Sequence, residues 1–138
     1  MNKHVHGDRT YGPRFDRVRV VRPLDILADR MLEDLYKLVG HDPVPADIQF
    51  SITIRERERL QVCIGGLTND FTFTGGGILQ YSKEADSLID YIIDFVDSYN
   101  WKNDRDPWDR RFFSSVRILT EIAWNSGNWT PGQVTVSG

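Results

Sequence analysis

The residues best suited to chemistry in this sequence are three histidines, one cysteine, a short oxygen-rich run and a row of aspartates. His4 and His6 can share a metal ion, yet two ligands fall well short of a closed site. His41 follows an apolar segment with helical spacing, where the helix dipole favours a cation and a structural role accounts for it. Cys63 lies in an alternating, strand-like stretch, where a thiol packs rather than reacts. No Ser-His-Asp set, Cys-His set or acid-base pair can be assembled from these positions. We therefore expect no enzyme, no cofactor and no metal.

Asn103, Asp104, Asp106 and Asp109 gather enough oxygen to attract calcium, but they lack the glycine and the distal glutamate of an EF-hand loop. Asp106 followed by Pro107 instead reads as a helix start, with Asp at the N-cap and Pro at the first helical position. Gly75-Gly76-Gly77 stands five residues ahead of a helix. A phosphate loop needs its amides at the helix start and a following Lys-Ser or Lys-Thr pair, so a bulge or close backbone approach suits these glycines better.

Two features point to a partner. Asp86, Asp90, Asp94 and Asp97 form one row along a helical segment, and Asp25, Asp29 and Glu33 repeat the pattern earlier. Like charges at this spacing cost roughly a few tenths of a kcal/mol per pair. Such a row is either an ordinary solvated face or a surface that steers a basic partner. Tyr99, Trp101, Trp108, Phe112, Phe113, Trp124 and Trp129 crowd the C-terminal third, interleaved with Arg105, Arg110, Arg111 and Arg117. Arginine among aromatics builds single-strand nucleic-acid surfaces, and equally protein interfaces or a charged rim around a core. Asp104, Asp106 and Asp109 would repel phosphate, which favours core plus interface.

The elements that position these residues follow from periodicity. Residues 1–16 read as a flexible basic arm, and 17–138 as a single domain opening on a short edge strand, 17–22. Pro23 suits a helix start. Leu24, Leu27, Ala28, Met31, Leu32, Leu35, Leu38 and Val39 then form one helical face that Gly40 closes. Ile48, Phe50, Ile52 and Ile54 alternate with polar residues, as do Leu60, Val62 and Ile64, with Arg55–Arg59 as a charged hairpin tip. Phe71 and Phe73 mark a third strand and Ile78–Tyr81 a further segment. Ser82 caps a helix through Tyr99 whose apolar side is Ala85, Leu88, Ile89, Ile92, Phe95 and Val96. A third helix is expected from Trp108 to before Gly127, with Trp108, Phe112, Phe113, Val116 and Leu119 turned inward. Val134–Val136 is an added strand or a frayed tail. The sum is an α+β fold: an antiparallel three- to four-stranded meander with about three helices on one face.

Length and charge bound the rest. The chain has 138 residues and a net charge of −3, with one cysteine and therefore no internal disulfide. Residues 1–23 hold six Lys or Arg against two Asp, and the remaining chain eleven against eighteen Asp or Glu. No apolar run approaches the ~20 residues of a membrane span, and no signal peptide opens the sequence, so a cytoplasmic location is expected. The reading that follows is a non-catalytic protein-binding module, an inhibitor or immunity-type protein occluding a basic enzyme such as a nuclease toxin or a phage-defence effector. Asp86, Asp90, Asp94 and Asp97 would steer, and Trp101, Trp108, Arg110 and Arg111 would anchor. The alternatives are nucleic-acid binding through the basic arm and segment 101–117, and a self-assembling subunit, for which a homodimer is the simplest form.

Overall fold

The computed structural model describes residues 5–6, 9–15, 23–56, 58–67, 72–75, 78–119 and 131–137. Within them the chain runs β1 (Val5–His6), β2 (Arg9–Tyr11), α1 (Leu24–Lys37), β3 (Gln49–Arg55), β4 (Arg59–Gly65), β5 (Thr72–Gly75) and β6 (Ile78–Tyr81). It continues with α2 (Lys83–Asp97), β7 (Trp101–Asn103), β8 (Phe113–Ile118) and β9 (Val134–Ser137).

Both helices form where the apolar spacing places them. Leu24, Leu27, Ala28, Met31, Leu32 and Leu35 are buried along α1. Pro23 stands at the N-cap, at the helix start as expected, and makes no side-chain capping bond. The helix is followed by Gly40 at φ +83°, a conformation that favours glycine. In α2 the Ser82 hydroxyl accepts from the Ala85 amide at 3.2 Å, and Ala85, Leu88, Ile92 and Val96 are buried.

The central sheet has the order β8-β4-β3-β9. β3 and β4 form the expected antiparallel hairpin, in register from Gln49↔Gly65 to Arg55↔Arg59. The outer strands run parallel to their neighbours, β8 along β4 and β9 along β3. The sheet is therefore mixed and not a meander. β5 and β6 stand apart as a two-stranded hairpin, with the glycines at 76–77 outside the described residues. A third sheet, β1-β2-β7, draws on the segment expected as an arm: Arg9–Tyr11 pairs antiparallel with Trp101–Asn103. The strand expected at 17–22 lies outside the described residues.

The expected third helix is the main correction. Residues 113–118 are a strand, and 120–126 lie outside the described residues. Asp106-Pro107 makes a turn and not a helix cap: the Asp106 carboxylate accepts from the Trp108 amide at 3.0 Å, and its carbonyl from the Asp109 amide. The same Asp-Pro chemistry initiates β-turns and helices alike. Beyond it, pairing with the apolar edge of β4 outweighs local propensity. Two helices, not three, are present among the described residues.

Phe50, Ile52 and Ile54 of β3 and Leu60, Val62 and Ile64 of β4 enter one buried cluster with the apolar sides of α1 and α2, joined by Phe112, Ile118 and Tyr99. Both helices thus cover the same face of the sheet. Cys63 points to the other face and is fully buried, and burial pushes its thiol up to about 11 against the opposing charges of Arg117 and Arg55. Leu35→Ala should cost about 2–5 kcal/mol of stability, read from denaturant midpoints. An aromatic disulfide reagent at neutral pH should leave Cys63 unmodified in the folded protein and label it on denaturation; rapid native labelling would contradict its burial.

Candidate functional site

α2 ends in a junction that organises everything after it. Asn100 is buried, and its side-chain amide behaves like a peptide group of a strand partner. Its Nδ2 donates to the Phe112 carbonyl at 2.9 Å, and its Oδ1 accepts from the amides of Phe112 at 3.2 Å and Trp101 at 3.0 Å. Its backbone carbonyl accepts from the Gly12 amide at 2.7 Å, and its amide donates to the Asp97 carbonyl. Gly12 approaches so closely that a Cβ there would lie 2.4 Å from the Ser98 carbonyl oxygen.

Between Asn100 and Phe112 the chain projects as a finger. Lys102 and Arg110 form an antiparallel bridge, the Asn103 amide donates to the Asp109 carbonyl, and the Arg111 amide donates to that of Trp101. The N-terminal strand braces this finger. Arg9 lies 3.8 Å from the Trp101 ring centroid and 3.5 Å from Asp109, and Thr10 donates to Asp104. Asp104, Asp106 and Asp109, read from sequence as an oxygen-rich cluster, are thus engaged in bracing and turn formation. Among the described residues no group of three His, Cys, Asp or Glu is placed to hold a metal.

The sequence-derived partner residues separate into two regions. Asp86, Asp90 and Asp94 are exposed along α2, while Asp97 is half-buried and paired with Lys102 at 2.6 Å. Asp25, Asp29 and Glu33 are exposed on α1. The rows do not merge. Arg30 and Asp34 of α1 line a cavity of about 450 Å³ together with Tyr99, Arg14 and Phe15, so that flank of α1 faces the end of α2. At 3.6 residues per turn, Asp25 and Asp29 fall on the opposite flank of α1. In α2, Glu84 and Ser87 line a second cavity with residues 42–46, and Asp86, Asp90 and Asp94 lie along the exposed, outward side of the helix. Within the cavity between the helices, Tyr99 donates to Asp34, and burial with that carboxylate pushes its phenol above the ordinary range. Burial alone would raise Asp34, but the bonds from Tyr99 and Lys37 and the charges of Lys37 and Arg30 outweigh it and hold it below its usual value.

The second region lies on the sheet face turned away from the helices. Strand alternation places Thr53, Arg55, Arg59 and Gln61 there, and their partners in register are Phe113 opposite Arg59, Ser115 opposite Gln61 and Arg117 opposite Cys63. Arg55 and Arg59 face each other directly across the hairpin. Like charges in that position are destabilising. Glu56 relieves Arg59 in part, at 3.2 Å, in an exposed pair. Phe113 is half-buried, with the Arg110 guanidinium 5.2 Å and that of Arg59 5.6 Å from its ring centroid. Trp108, expected inward, is 76 % exposed, its ring 5.9 Å from that of Phe113. A cavity of about 210 Å³ opens here between Arg55, Arg59, Gln61, Phe113 and Ser115, and no carboxylate is among the described residues that line it. Of the sequence-derived anchors, Trp108 and Arg110 belong to this face. Trp101 sits beneath Arg9, and Arg111 is half-buried, which lowers its guanidinium pKa.

Arg55, Arg59 and Gln61 were not among the sequence-derived site residues. Their signal was the same alternation that marks the hairpin, whose polar side carries arginines and no acid from Thr53 to Arg55 and from Arg59 to Gln61.

Comparison with known protein families, curated proteins and solved structures finds no match for the chain. No helix among the described residues is long and apolar enough to cross a membrane. The fold class is α+β, and the site is defined by its own geometry.

Asn100→Ala leaves the Phe112 amide and carbonyl without their buried partner, and should cost about 1–3 kcal/mol in denaturant unfolding. Asp34 is lowered in the folded state, so its contribution is present above the unfolded value of about 4 and is lost as pH falls through the folded one. Asp34→Asn should therefore flatten the acid limb of the stability profile below about pH 4; an unchanged limb would remove Asp34 from the account.

Proposed function

We propose that the chain is a non-catalytic nucleic-acid-binding protein that takes a phosphate backbone at the exposed end of the β4–β8 pair, around Arg55, Arg59 and Phe113. The observation that carries this reading is the placement of Arg59 and Arg110 against the Phe113 ring, with Arg55 lining the same cavity, Arg117 further along the same side of β8, and Trp108 exposed beside Phe113. Guanidinium groups match phosphate oxygens in a bidentate fork. The acidic rows stand on the helices, which cover the opposite face, so the field across the molecule orients an approaching polyanion toward the arginines. The finger's aspartates, which from sequence argue against phosphate, are engaged with Thr10, Asn103, Arg9 and turn amides.

The reading as an inhibitor or immunity-type protein rests on the α2 row alone, because the α1 row lies on the far flank of its helix. It keeps one specific support: Asp86, Asp90 and Asp94 are all exposed along one line. A basic enzyme would be its partner, held by Coulombic steering.

The two readings differ in what they predict for charge reversal. With four phosphate contacts, affinity for single strands should fall with salt at a log-log slope of roughly −3, on the order of 50-fold between 50 and 200 mM. Arg55→Glu combined with Arg117→Glu should abolish binding in fluorescence anisotropy against a panel of labelled DNA and RNA, single- and double-stranded. Asp90→Lys with Asp94→Lys should leave binding intact or strengthen it. No binding by the wild type to any member at 50 mM salt would refute the proposal. Arg55→Thr should weaken binding yet raise stability by roughly a few tenths of a kcal/mol, since it relieves the cross-strand repulsion with Arg59.

A further inference from the structure

Resting on the nucleic-acid reading, we infer that the form taken is a single strand, with one base stacked on the Trp108 indole while its phosphates lie among Arg55, Arg59 and Arg117. Trp108 is the most exposed of the large hydrophobic side chains among the described residues, at 76 %. It is nonetheless held in place. The Asp106 carboxylate fixes its amide at 3.0 Å, and the next residue, Asp109, is tied to Asn103 by backbone and side chain and to Arg9 by an ion pair. An indole presented to solvent on a braced turn loses little freedom when a flat partner lands on it.

The neighbours of the indole complete a platform. Phe113 lies 5.9 Å away at a 48° tilt, and the guanidiniums of Arg110 and Arg59 crowd the Phe113 ring. The arginine-lined cavity begins at Phe113 and continues to Ser115, Gln61, Arg59 and Arg55. Aromatic and cationic groups therefore alternate within one patch, which suits a chain that alternates bases with phosphates. A duplex keeps its bases stacked on one another and offers an outward-facing aromatic only its sugar-phosphate edge. A single strand offers the base itself. Every base has a π-face, and stacking needs no contact to a base edge, so it is tolerant of sequence.

The experiment uses the full chain with three probes: a twelve-nucleotide single strand, the same strand annealed to its complement, and inorganic polyphosphate. The expected result is that the single strand binds at least ten times more tightly than the duplex. Trp108→Ala should weaken single-strand binding by roughly 10- to 100-fold, while Trp108→Phe keeps most of it. Neither variant should change polyphosphate binding, and Arg55→Ala should weaken all three. Circular dichroism establishes that Trp108→Ala is folded, as expected for so exposed a side chain. Equal binding of single strand and duplex, or a Trp108→Ala protein that binds the single strand like wild type, overturns the stacking inference and leaves the phosphate-binding face standing. Loss of binding to single strand and duplex alike in the wild type overturns both.

Discussion

The buried amide of Asn100 is the constraint on which the remaining architecture turns. A single side chain supplies both a donor and an acceptor to Phe112 and so completes a strand-like exchange where the backbone cannot. Its own backbone receives the N-terminal segment through Gly12 and the end of α2 through Asp97. Three consequences follow from one residue. The finger 101–111 is closed at its base, the N-terminal strand is held against it, and the chain is aimed into the sheet as β8. Without that closure Phe113 would have no fixed register beside Arg59, and the arginine face would lose its aromatic centre. Burying an amide is costly unless all its bonds are made, so the arrangement is fixed in one geometry.

The layering converts this junction into a separation of charge. Both helices bury their apolar sides on one face of the sheet and turn Asp25, Asp29, Glu33, Asp86, Asp90 and Asp94 outward. The sheet's other face carries arginines, small hydroxyl residues, Gln61 and Phe113. An ordinary hairpin end selected for stability would alternate charge signs across its strands. Here Arg55 and Arg59 stand opposite each other, a local violation of the kind that marks functional surfaces. The relief from Glu56 is an exposed pair, worth little and weakened by salt.

Much of this could be read from the residues alone, and the parts that could not have definite causes. α1 and α2 follow from runs of apolar residues at helical spacing, and the β3–β4 hairpin from strict alternation, because those patterns record which side is buried. Ser82 announced its cap correctly. Residues 113–118 defeated the same approach: Asp106-Pro107 initiates turns as readily as helices, and Phe112, Phe113, Val116 and Leu119 suit either period. Only the open edge of β4 decides between them, and that edge is set by residues some fifty positions away. The role of Asn100 was equally hidden, since an asparagine after a helix reads as loop. The acidic rows were legible as rows, but which flank of α1 faces the end of α2 depends on how the two helices are set against each other. Arg55 and Arg59 were visible as a charged tip, while their union with Phe113 required the parallel pairing of β8.

The exposed end of the β4–β8 pair, and not the acidic helix surface, is where we propose that this protein meets its partner. Amide chemical-shift mapping of the full chain, titrated with a short labelled-free single-stranded oligonucleotide at low salt, tests that claim most directly. The shifts are expected to concentrate at residues 53–61 and 108–117 and to leave 86–94 unmoved. Shifts centred on Asp86, Asp90 and Asp94, or no shifts at all, would contradict it.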